Sequence, residues 1–178
     1  MVKFPYEKKS NPFSKTFLKF KNSPILKIGL SSGPGQLCKI EAYIDTGAQC
    51  CMFDNQYAKH LGIDDYKRVK SSEDVLELCG IGGIKTENVA YFHNLRLFVF
   101  KDQKHLELKN AFSPIDTKIG FLEKPLQVAG ILGVYGFLDQ FLFKANIPEG
   151  YFELEPLYDI ASLSSQSASI KNQPQRFS

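Results

Sequence analysis

The sequence predicts an all-β domain, and three observations carry that expectation. The apolar residues make up 43% of the chain and are rich in Phe, Tyr, Ile and Leu, and Phe and Tyr favour strands. The chain is punctuated by 13 glycines and 9 prolines, the residues that most often end regular structure. Several segments alternate apolar and polar side chains as half-buried strands do, among them Cys38-Lys39-Ile40-Glu41-Ala42-Tyr43-Ile44 and Val75-Leu76-Glu77-Leu78-Cys79. At 178 residues the chain suits one domain with a sizeable core.

Residues 1–22, rich in Lys, Asn, Ser and Pro with scattered Phe, are expected to form a loosely attached amino-terminal arm. The main domain spans residues 23–157. Residues 24–30 read as its first strand, and Ser31-Ser32-Gly33-Pro34-Gly35 as a turn, so residues 24–44 form a hairpin ending on Asp45. A short helix is expected over residues 53–61, with Asp54 or Asn55 as N-cap, Tyr57, Ala58 and Leu61 as its apolar stripe, and Gly62 as its stop. Residues 64–74 form a polar connection. Residues 75–79 and 84–100 then make a hairpin around Gly80-Ile81-Gly82-Gly83, whose tip has few side chains to anchor it and is expected to be mobile. Strands at 89–100 and 104–109 flank Lys101-Asp102-Gln103 as a further hairpin, and residues 110–128, with Pro114 and Pro125, read as a loop. Ala129-Gly130-Ile131-Leu132-Gly133 reads as a short buried strand that another backbone approaches closely. Phe137, Leu138 and Phe141 then predict one or two turns of helix, and residues 150–155 a final strand. Residues 158–178, rich in Ser, Gln and Asn, are expected to be a disordered tail.

The segment with the most chemistry is Ile44-Asp45-Thr46-Gly47-Ala48. Asp, Thr and Gly are all common turn residues. Aspartate, however, is poor in strands and costly to bury without partners. A fold that delivers one to the end of an apolar strand has a use for it, and the Thr46 hydroxyl with the N–H groups around Gly47 can hold the carboxylate.

The order strand, Asp-Thr-Gly-Ala, short helix, glycine-tipped hairpin, Ile-Leu-Gly, short helix, final strand resembles the retropepsin-like aspartic protease family, over about residues 24–156. The resemblance implies a small closed barrel-like lobe with a flap hairpin and one or two short helices, acting as a homodimer. It implies an aspartic-type endopeptidase, a hydrolase without metal or cofactor, acting on a polypeptide. Asp45 becomes the catalytic residue. Thr46 is assigned a hydrogen bond across the dimer axis and Gly47 the support of the carboxylate. Gly47 and Ala48 are assigned contacts with the substrate backbone. Gln49 is a further substrate-binding residue, and Gly80, Ile81, Gly82 and Gly83 form the flap tip over the substrate. Retroviral members carry an acid just after Asp-Thr-Gly-Ala and an arginine after the Ile-Leu-Gly glycine. Here Gln49 and Val134 stand there. Both halves of that pair are absent together, so no buried charge is stranded, and the chain is more similar to the cellular or bacterial branch.

Peptide hydrolysis requires an activated water and a proton donor for the leaving amine. Two adjacent carboxyl groups sharing one proton supply both. The only other Asp-Thr, Asp116-Thr117, continues with Lys118 rather than glycine. A second Asp45 from an identical chain about a two-fold axis is the economical source of the second carboxyl. The alternative is a catalytically inactive module of the same fold that dimerises or grips extended peptides.

The net charge of +3 is weak and scattered, which argues against nucleic acid as a partner. No stretch reaches the roughly 20 apolar residues of a membrane span, and residues 1–20 lack a hydrophobic signal core, so the expected location is cytoplasmic. The 4 cysteines are then free thiols, matching no zinc pattern and behaving as small buried hydrophobes. His60, His93 and His105 read as structural or surface residues.

Overall fold

The computed structural model describes residues 1–10, 20–79, 85–126 and 128–157. In chain order the strands are β1 (Val2–Pro5), β2 (Glu7–Ser10), β3 (Phe20–Ser23), β4 (Ile25–Gly33), β5 (Gln36–Ile44) and β6 (Met52–Asp54). The helix α1 (Gln56–His60) follows, then β7 (Val75–Cys79), β8 (Lys85–Val99), β9 (Ile115–Leu122), β10 (Gly130–Leu132), β11 (Phe141–Asn146) and β12 (Tyr151–Pro156). The protein is all-β. Strands β4-β5-β10-β6-β9-β8 pair in that order, and β8 returns to β4, closing a six-stranded barrel. Strand β7 hangs from β8 outside the closure, so the β7–β8 hairpin projects from the barrel. The tip expected at residues 80–83 lies outside the described residues, as does the tail expected at 158–178.

The β4–β5 hairpin forms as expected, with its turn narrowed to Pro34-Gly35 between the Gly33–Gln36 pair. Gly35 takes φ +80°, a conformation that glycine adopts without a Cβ penalty. Leu26, Ile28 and Leu30 of β4 and Ile40, Ala42 and Ile44 of β5 point inward, joined by Phe53, Leu95, Leu97, Ile119, Phe121 and Leu132 in one core. Strand alternation thus fills the barrel and leaves Asp45 as the first residue past the buried Ile44.

Four expectations are corrected. Residues 104–109 do not form a strand. Oδ1 of Asp102 accepts the N–H groups of Lys104 and His105, which curls the chain, and a 3-10 turn follows at Leu108–Asn110. A side chain that bonds nearby backbone offers it an alternative to a ladder. Residues 110–128 are not simply a loop, since they contain β9, antiparallel to β8 and parallel to β6. The last four residues of β9 are all buried, so its apolar run carries no alternation to read. The helix expected after Ile-Leu-Gly is one 3-10 turn, Leu138–Gln140, and Phe141 already opens β11. Finally, residues 2–5 of the expected arm are not loosely attached. β1 pairs with β12, which also pairs with β11, and the buried Phe4 stacks on Phe152 with ring centroids 5.4 Å apart. The middle of that three-stranded sheet holds the buried Glu153 carboxylate, 3.7 Å from Lys3 and 3.6 Å from Lys144 on either side.

The short helix is present and starts after Asn55, the second of the two expected N-caps, because residues 52–54 pair as β6 with β10 and β9. Asn55 sits at the N-cap without a side-chain cap bond, whereas Oδ1 of Asp54 accepts the N–H of Gln56 at 3.0 Å. Gly62 ends the helix at φ +73°.

Candidate active site

Strand β10 lies between β5 and β6, parallel to the first and antiparallel to the second. The loop of residues 45–51 therefore connects two strands that straddle a third. Its path follows from backbone bonding. The N–H of Asp45 donates to the carbonyl of Leu132 at 3.0 Å, continuing the β5–β10 pairing by one residue. The N–H of Ala48 then donates back to the Asp45 carbonyl at 3.2 Å, closing the turn. On the return, Val134 donates its N–H to the Ala48 carbonyl at 2.9 Å and Tyr135 to the Gln49 carbonyl at 2.7 Å. Residues 44–50 and 132–135 thus run side by side as one hydrogen-bonded unit.

Within that unit the N–H of Gly47 donates to Oδ1 of Asp45 at 2.9 Å. Asp45, Thr46, Gly47 and Gln49 are exposed and Ala48 is half-buried. The carboxylate is oriented by its own loop and open to solvent on its far side. Gly133 is demanded by close approach: a Cβ there would lie 2.5 Å from the Cys50 carbonyl oxygen. Gly130 is similarly covered by the ring of Phe53, as expected for a buried strand between glycines.

The structure brings Asp45, Thr46, Gly47, Ala48 and Gln49 together in one turn, while Gly80, Ile81, Gly82 and Gly83 lie outside the described residues. Gln49 and Val134 lie on adjacent segments tied through main-chain bonds. The sequence had assigned no site role to Tyr135. Its ring is 64% exposed beside the loop, and the only signal in the sequence is its place just after Ile-Leu-Gly.

The neighbouring thiols are quiet. Cys51 is fully buried, its Sγ donates to the Tyr135 carbonyl at 3.6 Å, and burial pushes it up to about 12. Burial also pushes Cys50 up. Reactive cysteines need a lowered pKa and exposure, so Cys51 behaves as a small core residue. Cys79, in contrast, is exposed. The three histidines are structural: His60 bonds the Gln56 carbonyl, His93 the Tyr66 carbonyl, and His105 the Asp102 carboxylate. Among the described residues no group of three or more His, Cys, Asp or Glu is placed to hold a metal ion.

Two grooves of the described residues lie elsewhere. One, of about 980 Å³, runs between the β4–β5 turn and the outer face of β8 and β9 and is lined by Ser31, Leu37, Arg96, Leu108 and Lys118. The other, of about 310 Å³, lies between Phe112 and Gln140. Neither includes residues 45–49. Among the described residues, no helix is long and apolar enough to cross a membrane. A comparison of the sequence with protein-family models found no match, and a comparison with curated proteins found none.

Proposed function

We propose that this chain is a retropepsin-like aspartic endopeptidase that works as a homodimer, with Asp45 of each copy at a shared two-fold axis. One observation carries this function: an exposed carboxylate, oriented by the Gly47 N–H, on a loop whose connecting strands straddle β10. The single bond from the Gly47 N–H orients the carboxylate and leaves its other oxygen open to solvent, where the second copy meets it. Two such carboxyl groups in contact resist double ionisation and retain one proton between them. The ionised member takes a proton from water as the water attacks the peptide carbonyl, and the protonated member hydrogen-bonds to the carbonyl oxygen. The departing amine then takes a proton from the pair, which returns to its starting state.

The topology of the barrel fits the same function. The β7–β8 hairpin stands outside the barrel closure, and in this reading it serves as the cover over an extended peptide. Such a peptide would bind as an added strand through main-chain hydrogen bonds.

The test is incubation of the pure full chain with casein across pH 3 to 8, beside Asp45→Asn. Cleavage by the parent that falls at least about 100-fold in the variant is the expected result. Equal cleavage by both proteins overturns the mechanism. Binding of casein without cleavage by either protein favours the inactive peptide-gripping module.

A further inference from the structure

We infer that the ring of Tyr135 is a docking group for a second copy of this chain, packing across the two-fold contact around Asp45; this inference rests on the homodimer proposed above. Tyr135 is 64% exposed, the highest value among the exposed large hydrophobic side chains of the described residues. Its backbone is nonetheless held on every side. The Tyr135 N–H donates to the Gln49 carbonyl at 2.7 Å, its carbonyl accepts from the Cys51 thiol, and it bridges to Cys50 in parallel register. The next residue, Gly136, takes φ +88° and donates its N–H to Oδ1 of Asp139 at 3.0 Å. An aromatic group on backbone this constrained is presented in a set direction, so docking orders little that was free.

Position supplies the occupant. Tyr135 is three residues beyond Leu132, whose carbonyl accepts the Asp45 N–H. Asp45 continues β5 one residue past Ile44, the partner of Leu132, so Tyr135 lies about two residues further along and one strand across, within roughly 10 Å at about 3.3 Å per residue and about 4.8 Å between strands. If the two Asp45 carboxyl groups share a proton, Asp45 lies at the centre of the contact between copies. A standard interface covers about 800 Å² on each partner, a disc of roughly 16 Å radius. An exposed ring within roughly 10 Å of the centre falls inside that footprint. The composition of the unit agrees: apart from Asp45 itself, residues 44–50 and 132–135 contain no charged side chain. Interface cores are depleted of charge and enriched in aromatic residues, with Tyr frequent among the energetically dominant ones.

Sedimentation equilibrium of the full-length parent, Tyr135→Ala and Tyr135→Phe tests the inference, with circular dichroism to verify that each variant is folded. Tyr135→Ala is expected to weaken the dimer at least about tenfold, while Tyr135→Phe, which keeps the ring, stays close to the parent. With protein well above its dissociation constant, KM for casein is expected to stay within about twofold in Tyr135→Ala. A parent that dimerises while Tyr135→Ala dimerises equally well overturns this inference and leaves the proposed function standing. An unchanged dimer with a raised KM also overturns it, by putting the ring against substrate. A parent that stays monomeric at every concentration sinks the homodimer itself.

Discussion

Gly133 lies directly against the main chain of Cys50: a Cβ on Gly133 would stand 2.5 Å from the Cys50 carbonyl oxygen and 2.8 Å from that of Ala48. This contact lets residues 132–135 run alongside residues 44–50 and so sets where Asp45 emerges. The obstructing atoms are backbone on a bonded loop, which cannot swing away as a side chain can. Gly133→Ala is therefore expected to destabilise the protein by about 1–3 kcal/mol, the usual range for overpacking. In thermal unfolding that is a fall of about 2–4 °C per kcal/mol for a chain of this size. An unchanged midpoint would show that the two segments separate at no cost.

Asp45→Asn is expected to leave stability within about 0.5 kcal/mol of the parent. The carboxylate is exposed, and its bond from the Gly47 N–H can be accepted equally by a carboxamide oxygen. Urea unfolding measures this. A large loss would reveal a structural role for the charge and would complicate the use of this variant as a catalytic control.

Phe4→Ala is expected to cost about 3–5 kcal/mol, the range for truncating a buried aromatic residue. The Phe4 side chain is 1% exposed and stacks on Phe152, which also contacts Tyr6 and Phe143. A loss below about 1 kcal/mol in urea unfolding would return residues 2–5 to the status of a dispensable arm.

Alkylation of the native protein at neutral pH is expected to label Cys79 first and to spare Cys51 until the protein unfolds. Cys79 is exposed, whereas Cys51 is fully buried and its thiol is pushed up to about 12. Peptide mapping by mass spectrometry reads the order. Early labelling of Cys51 would mean that the Asp45 loop opens readily.

The Asp102–His105 pair predicts a local dependence on pH. The hydrogen bond to the His105 ring is the main reason that the Asp102 carboxyl is held at about 2, with the N–H groups of Lys104 and His105 adding to it. The same bond raises His105 above its ordinary value. The contribution of a depressed acid is present above about pH 4 and fades as pH falls through about 2. The contribution of a raised histidine is complete below about 6.5 and fades as pH rises through its folded value. The turn is thus most stable from about pH 4 to 6.5. Proton NMR is expected to place the His105 midpoint above 6.5, moving back toward it in Asp102→Asn; a midpoint unmoved by that substitution would contradict the pairing.

Local chemistry made part of this protein legible before any coordinates. Pro34-Gly35 announces its turn because glycine alone accepts φ +80° there without strain. Alternation along residues 38–44 identifies β5, and Asp45 stands out because it follows directly on the last apolar residue of that strand. The β7–β8 hairpin and the close approach at Gly130 and Gly133 were readable for the same kind of reason.

Other features depend on partners distant in sequence. Strand β9 hides in residues 110–128 because its end is buried on both faces, a condition set by β6 and β8 rather than by its own period. β1 is a strand because Phe4 finds Phe152, and β11 because it folds back on β12. The hydrophobic pattern of this chain by itself determined its all-β class and the place of Asp45 at a strand end. Only the tertiary structure decided that β10 runs between the strands flanking that loop, that Tyr135 is left in solvent beside it, and that residues 2–5 join residues 141–156 in one sheet. These are long-range contacts, whose free energy comes from burial between segments that no local window of sequence contains.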